Sequence, residues 1–97
     1  MKALDLPDGI ETDPNAKELL RLWAANKKLN VSINVGCFTN NGKDEATAWG
    51  IVLSDLTRHV GRALSQQYQA NEEQVIAKVR DVYLRELRSP TSGIQGK

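Results

Sequence analysis

The chain is poor in the residues that carry most recognisable chemistry. Among its 97 residues it has one cysteine, one histidine and five aromatic side chains. A lone cysteine excludes a disulfide framework and a multi-cysteine zinc site. An unpaired Cys37 is the form expected in a reducing compartment. Thirteen Lys and Arg against twelve Asp and Glu leave a net charge of +1. That balance argues against a strongly nucleic-acid-binding domain. No apolar run approaches the roughly 20 residues that a membrane span needs. The segment Ala3-Leu4-Asp5-Leu6-Pro7-Asp8 is too acidic and too interrupted for the apolar stretch of a secretory signal, so the expectation is a cytoplasmic protein. What the chain does have is 40% hydrophobic residues, enough for a folded domain of ordinary composition.

Three stretches differ in character. Residues 1–15 contain Pro7, Gly9, Pro14 and the acidic residues Asp5, Asp8, Glu11 and Asp13, and are expected to form an irregular lead-in. Residues 89–97 contain Pro90, Gly93 and Gly96 and are expected to be a flexible tail. A single domain is expected over 16–88, with no internal repeat and no low-complexity tract.

Within that domain, Leu29, Val31, Ile33 and Val35 alternate with Asn30, Ser32 and Asn34, the period of a half-buried strand. The preceding block is ambiguous. Asp13-Pro14 resembles the start of a helix, and Ala16, Leu19, Leu20, Trp23 and Ala24 fall at helical spacing, yet Leu20, Leu22 and Ala24 also alternate. Register decides between the two. A two-residue turn at Asn26-Lys27, or any even loop, sets Leu20 opposite Ile33, Leu22 opposite Val31 and Ala24 opposite Leu29, so that all six share a face. The block is therefore predicted to be a hairpin, with Leu19, Arg21, Trp23, Asn30, Ser32 and Asn34 on its other face.

Residues 36–43 are predicted to be a loop, with Asn40, Asn41 and Gly42 as turn formers. Asp44 is placed to cap a helix running to about Tyr68. Its apolar stripe is Trp49, Val52, Leu53, Leu56, Val60, Leu64 and Tyr68. Leu53 and Leu56 are expected in the core. Gly50 and Gly61 interrupt this helix at a cost of about 1 kcal/mol each, which points to close approach of another group at both. Asn71-Glu72-Glu73-Gln74 fits the start of a second helix, which Ser89-Pro90 ends. Asp81 and Arg85 are spaced to pair on its outer face. The predicted fold class is thus α+β, in the order β-β-α-α, with two amphipathic helices packed on one face of a hairpin. A two-stranded sheet alone is marginal and exposes two edges. Joining two hairpins into a four-stranded sheet in a homodimer would remedy both.

Chemistry is sparse. His59 follows Asp55 by four residues on the long helix, where the two can meet, as in an acid–base dyad or simply as a local hydrogen bond. Asp55, Arg58, His59 and Arg62 form one ridge. Cys37 is expected to be an idle loop thiol. No metal is expected, because His59, Asp55, Asp44 and Cys37 lack ligand spacing, and no phosphate-binding loop is present, so no cofactor is expected either. Arg58, Arg62, Lys78 and Arg80 are basic but have no interleaved aromatics, which disfavours nucleic acid. Leu19, Arg21, Trp23 and Trp49 are the candidates for an interaction surface, since a large exposed apolar side chain marks a partner's seat.

Four segments carry a family resemblance. Leu20-Arg21-Leu22-Trp23, Leu29-Asn30-Val31-Ser32-Ile33, the stretch from Ala48-Trp49-Gly50 through Leu53, Asp55, Arg58 and His59 to Val60, and Ser89-Pro90-Thr91 resemble a small bacterial family of domains of unknown function with "LRVW", "AWG-x-x-L-x-D-x-x-RH" and "SPT" segments. Leu22 stands where that family has valine. The resemblance covers about residues 18–92 and implies a strand across the first block. It implies no activity and no catalytic residues, although Asp55, Arg58 and His59 match its central pattern. Two functions follow: a small protein-interaction or regulatory module, self-associating or bound to a partner protein, and, as the alternative, a ligand binder or enzyme built on Asp55, Arg58 and His59.

Overall fold

A computed structural model describes residues 2–38 and 44–91. The elements are β1 (Leu20–Ala25), β2 (Lys28–Ile33), α1 (Glu45–Tyr68) and α2 (Glu72–Arg88), the α+β, β-β-α-α order expected from the pattern. The chain divides into two compact units, one ending at Asn34 and one starting at Val35. The turn expected at Asn40, Asn41 and Gly42 and the tail from Ser92 on lie outside the described residues.

In the first unit, β1 and β2 pair antiparallel, with Leu20 opposite Ile33, Leu22 opposite Val31 and Ala24 opposite Leu29. This is the register that the shared apolar face required. Asn26 and Lys27 close the hairpin at φ of 55° and 63°. Both central residues are left-handed, the condition of a turn whose twist matches that of the strands. Asn tolerates this region, whereas Lys27 sits there against its own Cβ. Asn30 ties the turn by donating from Nδ2 to the carbonyls of Ala25 and Lys28, both at 3.1 Å. Ahead of the hairpin, Asp13 accepts from the Asn15 amide at 2.8 Å, a local turn in place of a helix start.

In the second unit, Asp44 caps α1 by accepting from the Ala46 amide at 3.1 Å and from the Thr47 hydroxyl at 3.0 Å. Gln69, in the left-handed region, ends α1. Asn71 then caps α2, accepting from the Gln74 amide at 2.9 Å. The two helices meet at Gly61, which is buried. A Cβ added there would stand 2.4 Å from Ile76 Cγ1. Close approach was therefore the right account of Gly61. It was not the account of Gly50, around which a Cβ would meet nothing within 4 Å.

Leu53 and Leu56, expected in the core, are 38% and 44% exposed. Two helices can bury only the line along which they touch, while an apolar stripe of this width needs a further element over it. Asp81 pairs with its neighbour Arg80, Nε to Oδ1 at 3.0 Å, rather than with Arg85. No helix among the described residues is long and apolar enough to cross a membrane.

Candidate interaction surface

Among the described residues no apolar side chain is fully buried. Two apolar surfaces result, one in each unit. On the hairpin, Leu22, Leu29 and Ile33 share a face and are 51–52% exposed. Between α1 and α2 runs an open groove of about 570 Å³. Its floor and walls come chiefly from Leu53, Leu56, Val60, Val79, Tyr83 and Leu84. Gly50 lines it too, which accounts for the free space around that glycine.

Three of the four interaction candidates lie together. Leu19 enters β1 at its N-terminal end, Arg21 stands opposite Ser32, and Trp23 stands opposite Asn30. Leu19 and Trp23 are half-buried. Arg21 is exposed and donates from Nε to Glu18 at 2.8 Å. Trp49 belongs to the second unit. Its indole N–H donates to Glu45 Oε2 at 2.9 Å, and its ring meets Phe38 edge-on, centroids 5.5 Å apart. Glu45 is the hub of this corner. Its carboxylate also accepts from the Gly36 amide, at 3.2 and 3.0 Å, and so ties the chain entering the loop to the first turn of α1. The Gly36 amide, and after it the Trp49 indole, hold the Glu45 pKa below its ordinary value. Glu45 was not singled out from the sequence. The Glu45–Trp49 spacing of four was visible there, but the Gly36 contact is not a feature of any local pattern.

A second anchored carboxylate sits at the far end of α2. Glu86 accepts from the Thr91 amide at 2.9 Å and from the Thr91 hydroxyl at 3.0 Å. Those bonds lower its pKa, the amide first. The Ser89-Pro90-Thr91 segment thus turns back onto the last turn of α2.

The ridge of candidate site residues does come together. Asp55, Arg58, His59 and Arg62 line a shallow groove of about 180 Å³ with Glu72 of α2. Asp55 is ion-paired with Arg58, and Arg62 faces Glu72 with Nε 3.8 Å from Oε2. Asp55 thus holds Arg58 and not His59. The groove is smaller than the roughly 300–1,000 Å³ usual for a ligand pocket, and its ion pairs are largely exposed to water. With Arg80 on Asp81, three members of the basic cluster each face a carboxylate.

Residues 3–91 match the model of a family described as a domain of unknown function, DUF5076. A comparison with curated proteins found no match. Among solved structures, the chain is similar to one from the photosynthetic bacterium Rhodopseudomonas palustrus CGA009, provisionally described as a pyruvate dehydrogenase. The match has a TM-score of 0.70 at 23% identity and covers 100% of this chain and 94% of that one. At that identity the likeness establishes a shared fold.

Proposed function

The chain belongs to the DUF5076 family of domains of unknown function, and on that premise we propose that it is a self-associating interaction module whose partner is a second copy of itself. One observation carries the proposal: no described apolar side chain is fully buried, although the hairpin and the helix pair each present an organised apolar surface. A hairpin of two strands is marginal in water, and so is a pair of helices meeting along one line. The missing burial is the driving force for association, at roughly 25 cal/mol for each Å² of apolar surface removed from water. In the assembled dimer the hairpins form one sheet. Trp23 and Leu19 flank the joined sheet. The alternative, a ligand or catalytic site on Asp55, Arg58 and His59, has only the shallow salt-bridged groove in its favour.

Unfolding at two protein concentrations tests the proposal. When folding is coupled to association, the urea midpoint rises as the chain is concentrated. A midpoint that stays fixed across a hundredfold range of concentration would refute self-association.

A further inference from the structure

The hairpin has two edges, and only one of them suits a second copy. The proposal here rests on the self-association reading and assigns the edge and the register. The Asn34 amide donates to the Leu19 carbonyl at 2.9 Å, which makes Leu19 and Asn34 a hydrogen-bonded pair. Antiparallel pairs alternate between bonded and non-bonded. Arg21–Ser32, Trp23–Asn30 and Ala25–Lys28 are then also bonded pairs, by the observed register. The intervening residues Leu29, Val31 and Ile33 turn their amides and carbonyls away from β1, toward the open edge of β2. On β1, Leu20, Leu22 and Ala24 do the same on the opposite edge.

The β1 edge is already flanked. Lys2–Leu6 and the consecutive residues Leu20–Ala24 line a common groove of about 590 Å³, which includes no residue of β2. A groove over one face would draw in the paired strand, so this one follows the outer side of β1. The Lys2–Leu6 segment therefore lies across a groove from β1, in the path of a strand added to that edge. Among the described residues β2 pairs with no strand other than β1.

We propose that β2 pairs antiparallel with β2 of a second copy, about a two-fold axis at Val31. Because only Leu29, Val31 and Ile33 direct backbone groups outward, any regular antiparallel pairing of two such edges sets these residues against one another. Opposed residues in an antiparallel pair share a face. The backbone phase thus enforces the matching of apolar with apolar that a buried sheet face needs. Centring the axis on Val31 places Leu29 against Ile33 of the second copy and Val31 against its own equivalent. Shifting the centre to Asn30 would put Ile33 opposite Lys27. Shifting it to Ser32 would put Leu29 opposite Val35, beyond the strand's end at Ile33. The Val31 centre is the register that uses all three apolar residues within the strand.

Amide hydrogen exchange on the unmodified full-length chain is the primary test, read residue by residue by NMR beside its sedimentation mass. The expected result is slowed exchange at Leu29, Val31 and Ile33, by at least tenfold relative to Leu20, Leu22 and Ala24. A dimer in which Leu20, Leu22 and Ala24 are the slowed set would move the interface to β1. A dimer with both sets fast would remove sheet pairing while leaving self-association standing. A monomer would refute the self-association reading itself. A second test uses cysteines in a Cys37→Ser background. The roughly 5.5 Å between Cα atoms of a bonded pair lies within disulfide reach. Mild oxidation should convert Val31→Cys to a covalent dimer and leave Leu22→Cys, its neighbour on the same face, uncrosslinked. The reverse pattern would overturn the assignment.

Discussion

Replacing Gly61 by alanine sets two opposed effects against each other at one atom. In the middle of α1, alanine is favoured over glycine by up to about 1 kcal/mol. The new Cβ would lie 2.4 Å from Ile76 Cγ1 and 3.1 Å from its Cδ1. Cγ1 is attached directly to Cβ and moves only by rotation about χ1, for which a β-branched residue in a helix has one strongly preferred setting. Overpacking of this kind costs about 1–3 kcal/mol. Gly61→Ala should therefore fall between neutral and about 2 kcal/mol destabilised. Ile76→Ala removes the obstructing atoms and, at a half-buried site, should cost about 1–3 kcal/mol on its own. In the double variant the alanine at 61 has nothing to strike and its helix preference is recovered. The double variant should thus be about 1–3 kcal/mol more stable than the sum of the single effects. Urea unfolding followed by helical circular dichroism measures all four species, at one fixed protein concentration because association couples to the midpoint. Additive effects, within about 0.5 kcal/mol, would refute the contact between Gly61 and Ile76.

Lys27→Gly relieves a left-handed L-residue at the hairpin turn and should stabilise the chain by about 1 kcal/mol, read as a raised urea midpoint; a lowered midpoint would count against a two-residue turn. Asn71→Ala removes the cap on α2 and should cost about 1 kcal/mol. Glu45 has its pKa lowered in the fold, so its bonds to Gly36 and Trp49 support the folded state above its ordinary 4.5 and are lost as pH falls through the lower folded value. Trp49 fluorescence should report that loss on acidification, and Glu45→Gln should abolish the pH dependence of the signal. His59 is exposed, so His59→Ala should change stability by no more than about 0.5 kcal/mol; a larger loss would give the histidine a structural role.

The hairpin was legible because strand pairing obeys parity: once Leu29, Val31 and Ile33 define a face, an even loop alone lets Leu20, Leu22 and Ala24 share it. The caps Asp44 and Asn71 were equally legible, since each acts on amides within three residues. Contacts that join distant segments were not, because no periodicity encodes them. Gly36 on Glu45 spans nine residues of sequence, and the Gly61–Ile76 contact depends on how two helices cross. Gly50 and Gly61 look alike in the sequence, yet one lines an open groove and the other bears a helix. Leu53 and Leu56 carried the signature of a core, but an apolar stripe reports only that a surface must be covered, not by what. The ridge of Asp55, Arg58 and His59 followed from helical spacing, while the recruitment of Glu72 to it did not.

Sedimentation equilibrium of the full-length chain at high protein concentration bears most directly on self-association. The expected mass is that of two chains of 10.8 kDa each, falling toward one when Val31→Asp places a charge on each side of the two-fold axis. A mass of one chain at every concentration would contradict it.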